Sequence, residues 1–140
     1  MAAATGRRDA ALAALDAIPA TSRAYGESRR KRAVLLAAAG LSSTVGDLDA
    51  AAAELEVAAL DDAQRAALRV QILESALQLA IAAPRGALAT SSVGGVPVAE
   101  TPLRTALEGA YRESARHQTD RRERVRLVDL ANQVRARTLV

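Results

Sequence analysis

The side chains that most often carry out catalysis are nearly missing from this chain. It contains no cysteine and one histidine, His117. Thiol nucleophiles, cysteine zinc sites and iron–sulfur clusters are therefore excluded, and a single histidine cannot build a multi-histidine metal centre. We expect His117 to cap the C-terminal end of a helix, where the helix dipole favours a cation. The sequence thus predicts no catalytic residue, no metal ligand and no cofactor.

Arginine is the chemically capable residue that the chain holds in quantity. Eighteen of its nineteen basic residues are arginine, and two clusters stand out, at 29–32 and at 121–126. A guanidinium group binds carboxylates and phosphates through two parallel hydrogen bonds. Each cluster is therefore a candidate docking site for an acidic partner.

The second cluster provides the stronger candidate. On a helix, Arg122, Arg126, Asp129 and Gln133 are spaced by three or four residues, which places them on one side. Arg122 and Arg126 repel each other at this spacing unless an acidic group relieves them. We predict that these four residues, on the sixth expected helix, meet either an acidic partner protein or the chain's own acidic middle. A solvated helix surface is the alternative.

The first cluster is a weaker candidate. Four consecutive residues fan over about 300° of a helix and cannot share one face. Glu27 can also pair with Lys31 at a spacing of four. We expect a solvated, partly paired surface here, with Arg29 and Arg32 as the weaker docking candidates.

Helices must position these residues, because the composition favours little else. Alanine, the best helix former, provides 35 of the 140 residues, and the only aromatic residues are two tyrosines, which we expect in the core. Sheet proteins need more β-branched and aromatic residues. No apolar run approaches the roughly 18 residues of a membrane span, and the first residues lack a signal-peptide layout. We therefore expect an all-α, cytoplasmic protein.

Apolar spacing, helix breakers and caps predict six helices in one domain over residues 1–140. Short connections favour antiparallel helix pairs, stacked as an α-solenoid. Residues 84–99 are rich in breakers and predict a long connecting loop, either an ordered excursion or a mobile segment. Thr101 is the expected cap of the fifth helix. The expected helices cover 8–18, 23–39, 46–59, a stretch from Asp61 or Asp62 to 82 or 83, 101–117, and a sixth from about 120.

The net charge of +3 conceals a basic, acidic, basic arrangement. Residues 1–40 carry +4, residues 41–100 carry −5 and residues 101–140 carry +4. This arrangement suits docking to protein surfaces better than wrapping nucleic acid. Nucleic-acid binding through the arginine clusters is the least favoured alternative, and it would require affinity that falls steeply with salt.

Several stretches resemble a known family. Residues 14–25 (ALDAIPATSRAY) are similar to the junction between tetratricopeptide repeats, where a proline ends one helix and a serine- and tyrosine-containing start opens the next. Residues 46–51 (GDLDAA) resemble a repeat helix start. The tail, at 107–112 and 122–135, is similar to the C-terminus of actinobacterial serine/threonine kinases of the protein kinase G type.

The resemblance implies a tetratricopeptide-like fold and a place at the C-terminal end of such a kinase. The chain has no glycine-rich nucleotide loop, no His-Arg-Asp and no Asp-Phe-Gly, so no catalytic residue is carried over. The implied function is a non-catalytic scaffold that supports the kinase domain in cis and recruits protein substrates, such as forkhead-associated-domain proteins. A second copy of the chain is a further implied partner. A purely structural dimerisation or capping module is the alternative.

Overall fold

The computed structural model of the chain describes residues 2–37, 44–56, 58, 60–84, 86–88 and 90–138. Within these ranges the predicted all-α, tetratricopeptide-like arrangement of about six helices is confirmed. Consecutive helices contact each other along the chain, as stacked helix pairs do. None of the described helices combines the length and the apolar composition that a membrane span requires. The elements are α1 (Ala2–Asp16), α2 (Tyr25–Ala37), α3 (Val45–Glu54), α4 (Asp62–Ala82), β1 (Ser92–Val93), β2 (Val96–Pro97), α5 (Glu100–His117) and α6 (Arg121–Thr138).

Capping boxes fix the starts of α3 and α4. The Thr44 hydroxyl accepts a hydrogen bond from the Asp47 backbone N–H at 3.1 Å, and the Asp47 carboxylate accepts one from the Thr44 N–H at 3.2 Å. Asp61 and Gln64 repeat this exchange before α4, at 2.7 and 3.1 Å. Each box satisfies donors that a helix start leaves without partners. Of the two predicted caps for α4, Asp61 is the one used.

Several predicted helix boundaries were wrong, and three of them matter most. Helix α1 begins at Ala2 rather than at residue 8, because the alanine-rich start continues the helix. Helix α3 ends at Glu54, five residues before the predicted end. Helix α5 begins at Glu100 after Ala99, which provides no side-chain cap, so Thr101 lies inside the first turn. The predicted end of α2 at residues 39 and 40 falls outside the described residues.

Helix α4 lies at the centre of the core, because its apolar side chains cover a wide arc that must be packed from more than one side. It contacts α2, α3 and α5. Ile72 and Ala76 are buried, and so is the polar Ser75 between them. Ile81, near the end of the helix, is 55% exposed. Tyr111 of α5 is buried in the same core, and this confirms one of the two predicted core tyrosines.

The connection between α4 and α5 contains a β-hairpin that was not predicted. Its two strands are antiparallel, and Val93 pairs with Val96 on either side of a two-residue turn. Gly94 and Gly95 both have positive φ, 56° and 82°, which this tight turn requires at both central positions. Val93 and Val98 are buried, so the hairpin packs into the helical core rather than standing away from it.

Candidate interaction groove

A groove of about 980 Å³ runs between α3, α4, α5 and the hairpin. Its volume is at the upper end of the range of ligand sites in proteins. Four elements supply its walls. They are Asp49, Ala52, Ala53, Leu55 and Glu56 from α3 and its end; Asp62, Arg65, Ala66, Arg69, Ile72 and Leu73 from α4; Val93, Gly94 and Val96 from the hairpin; and Ala106, Gly109, Ala110, Glu113 and His117 from α5.

Small residues create this space. Most of the groove-facing positions of α3 and α5 are alanine or glycine, so the helices cannot fill the gap between them with side chains. At Gly109 a Cβ atom would have no neighbour within 4 Å. The alanine that the composition associates with helix formation therefore also shapes a concave surface.

The hairpin closes one end of the groove. It contacts both α3 and α5. The Gly94 backbone N–H donates a hydrogen bond to the Asp49 carboxylate at 2.9 Å, and a Cβ at Gly94 would lie only 3.1 Å from the Ala52 Cβ. The turn thus approaches α3 at a distance that glycine alone allows without movement.

Charged side chains line the groove where α3 ends, α4 begins and α5 ends, at Glu56, Asp62 and His117, and we call this region the open end. On the α5 side, Glu113 contacts His117 Nε2 at 3.0 Å and Arg116 at 2.9 Å. The hydrogen bond from His117, helped by the charges of Arg116 and Arg69, lowers the pKa of Glu113. His117 is the last residue of α5, as predicted, but its side chain pairs with Glu113 one turn earlier.

Arg65 ties α4 to the end of α3. Its Nε donates to the Leu55 carbonyl at 3.0 Å and its Nη2 to the Leu60 carbonyl at 3.4 Å. The same guanidinium lies 3.4 Å from the Asp62 carboxylate. Arg65 is therefore committed to the scaffold, although it lines the groove.

The α6 docking face predicted from the sequence lies outside this groove. Its four residues, Arg122, Arg126, Asp129 and Gln133, are all exposed on α6. Arg126 forms an ion pair with Glu123 of its own helix, so the chain itself relieves part of the predicted repulsion. Partner docking at these four residues stays a prediction.

The weaker candidates, Arg29 and Arg32, face their own chain. Both guanidinium groups contact the Glu54 carboxylate, at 3.4 and 2.7 Å, and both contact Asp16, at 3.4 and 2.8 Å. The Arg29 guanidinium also lies 5.0 Å from the centre of the half-buried Tyr25 ring. This network joins α1, α2 and α3. Docking at Arg29 and Arg32 is untested and stays a prediction.

The expected pairing of Glu27 with Lys31 was wrong. Glu27 instead forms an ion pair with Arg30, three residues along α2. The hydrogen bond from Arg30 lowers the pKa of Glu27, with a smaller contribution from the charge of Lys31. The three-residue spacing allows the guanidinium to meet both carboxylate oxygens, and its Nε lies 3.0 Å from each of them.

Sequence reasoning missed the groove residues themselves. Asp49, Ala52, Ala53 and Glu56 have the spacing of one helix face, but their residue types do not mark that face as a binding surface. Gly109 belongs to no motif or periodic pattern that would have indicated a role. Within the described ranges, no three histidine, aspartate or glutamate side chains are placed to hold a metal ion.

Comparison with known proteins gives the family. The family model described as the protein kinase G tetratricopeptide repeat matches residues 1–138. The chain is also 32% identical over 130 residues to the serine/threonine-protein kinase PknG of Mycolicibacterium smegmatis. That alignment covers 93% of this chain but 17% of the relative, so the chain spans about a sixth of that kinase's length. With its six stacked helices and a match along almost its entire length, this chain belongs to the protein kinase G tetratricopeptide repeat family.

Proposed function

We propose that residues 1–138 are the non-catalytic, protein-interaction region of a cytoplasmic serine/threonine protein kinase. In this proposal the region supports the kinase domain in cis and holds a segment of the protein substrate. The kinase context is supported by the similarity to the mycobacterial kinase, which is much longer than this chain. The resemblance described above makes forkhead-associated-domain proteins the expected substrates.

The observation that carries the proposal is the groove. Its length along α3, α4 and α5, its alanine- and glycine-rich walls and its charged open end suit a polypeptide segment. Stacked helix pairs commonly present such concave surfaces to partners.

Deletion of residues 1–138 from the full-length kinase tests the proposal. We expect weaker phosphorylation of the protein substrate, because docking at a distance from the kinase domain is lost. Phosphorylation of a short generic peptide, too small to reach the groove, serves as the control for an intact kinase domain and should stay the same. Equal phosphorylation of the protein substrate by both forms would contradict recruitment.

A dimerisation or capping role is the second candidate, and an exposed apolar strip on α6 favours it. Val125 is 52% exposed and Val128 is 37% exposed. Sedimentation of the full-length protein distinguishes the two roles. A dimer that a Val125→Asp substitution dissociates would favour dimerisation, whereas a monomer that binds the substrate protein would favour recruitment.

A further inference from the structure

The open end of the groove has an acidic side. Glu56, just after α3, is exposed, and Asp62, in the first turn of α4, is 79% exposed. Both line the groove. Their carboxylates are thus accessible to a ligand that enters from this end.

The basic residues of the groove do not balance these carboxylates. Four carboxylates and two guanidinium groups line it, which leaves a net charge of −2 when His117 is neutral. Arg65 donates hydrogen bonds to the Leu55 and Leu60 carbonyls, and its ion pair with the 79% exposed Asp62 is long, at 3.4 Å. Arg69 lies beside Glu113, which Arg116 and His117 already pair. The excess negative charge is therefore carried by Glu56, which forms no ion pair within the described part of the chain, and by Asp49 at the hairpin. Asp62, beside Glu56 in the lining, is only weakly neutralised by Arg65.

Apolar surface lies deeper in the groove. Ile72 and Leu73 of α4 and Val93 of the hairpin are buried residues that contribute to its lining. A segment that binds here can place a small or medium apolar side chain against these residues. A metal ion is a poor occupant, because the acidic side chains of the described ranges are not grouped as ligands.

We propose that this groove selects a basic polypeptide segment of a partner protein, with a lysine or arginine side chain between Glu56 and Asp62 and an apolar side chain toward Ile72 and Leu73. The inference rests on the proposed function, since it names the chemistry of the segment that the groove holds. Charge complementarity of this kind steers association and fixes the register of a bound segment.

Binding of matched peptides to the full-length protein tests this. Two fluorescent alanine–leucine peptides of equal length are used, one with lysine and arginine and the other with glutamate. We expect the basic peptide to bind more tightly and to weaken as salt is raised. The double substitution Glu56→Gln with Asp62→Asn should weaken it on the order of tenfold, as the loss of two partly screened charge pairs implies.

Asp9→Asn is the matched control, because it removes an exposed carboxylate of α1 outside both the groove and the docking face of α6. It should leave binding unchanged. Equal binding of the two peptides, tighter binding of the acidic peptide, binding of neither, or no effect of the double substitution would each overturn the inference. A concentration-dependent dimer that the double substitution dissociates would also overturn it, because a second copy would then be the occupant.

A further substitution distinguishes failure of the proposed function from failure of the inference about a basic segment. Gly109→Leu fills the groove at a position where a Cβ has open space. Gly109→Leu could reduce phosphorylation of the protein substrate while the two peptides bind equally. That result would support recruitment through the groove and contradict the selection of a basic segment. If Gly109→Leu leaves that phosphorylation unchanged, recruitment through the groove itself fails.

Discussion

At the scale of single residues, Glu54 has the most demanding position. Its side chain is 8% exposed, and one oxygen contacts both Arg29 and Arg32. The other oxygen, Oε2, and the Nε of Arg29 have no hydrogen-bond partner among the described residues. A buried carboxylate is tolerated because two guanidinium groups compensate for its lost hydration. Glu54 therefore links α3 to α2, and the shared contacts with Asp16 extend the link to α1.

We predict that Glu54→Gln destabilises the protein by about 2 kcal/mol, because it leaves two partly buried guanidinium groups with one exposed carboxylate. Glutamine keeps the volume of the side chain, so lost packing does not contribute. Urea unfolding followed by circular dichroism measures the change. The control is Glu27→Gln, which removes an ion pair on the exposed side of α2 and should have little effect. Equal stability of the two variants would show that the buried network contributes nothing.

At the scale of elements, the hairpin decides the shape of the groove. It occupies the end of the space between α3 and α5 and is held to α3 through the Asp49–Gly94 hydrogen bond. In a stack built from helices alone, this end would stay open. The connection between α4 and α5 is thus a structural wall of the candidate site.

We predict that Gly94→Ala costs about 1–2 kcal/mol, because the new Cβ combines an unfavourable positive φ with a 3.1 Å approach to the Ala52 Cβ. Gly95→Ala is the matched control, since its φ is +82° but its Cβ would meet nothing within 4 Å. Gly94→Ala should be the more destabilising in thermal or urea unfolding. In an Ala52→Gly background the close contact is absent, so Gly94→Ala and Gly95→Ala should there cost the same stability. Identical losses at the two glycines would mean that the close approach is unimportant.

The helices were predictable because their determinants are local. The cap at Asp61, for example, directly precedes the helix that it starts, so the beginning of α4 could be predicted from residues that are neighbours in sequence. The hairpin was not predictable in the same way. Its strands are two residues each, and Val93 is buried only because α3 and α5 come together around it.

At the scale of the whole molecule, the candidate site depends on long-range packing. The groove unites α3, α4, α5 and the hairpin, and its defining feature is the space left by small residues such as Ala52 and Gly109. A sequence pattern identifies side chains that are present and not the space between helices, so it predicted docking at the arginine clusters and not at the groove. Two of those arginines, Arg29 and Arg32, proved to hold the first three helices together. The α6 docking face remains exposed and available as a second surface.

The central claim is that the groove of this region recruits the protein substrate of a kinase. Steady-state kinetics of the full-length kinase carrying Gly109→Leu tests it most directly. Ala136→Leu, which adds a leucine to the exposed surface of α6 outside the groove, is the control. We predict that Gly109→Leu raises KM for the protein substrate on the order of tenfold, the loss of about 1.4 kcal/mol of docking free energy. Phosphorylation of a short peptide should stay unchanged in both variants. An unchanged KM for the protein substrate in Gly109→Leu would contradict the claim.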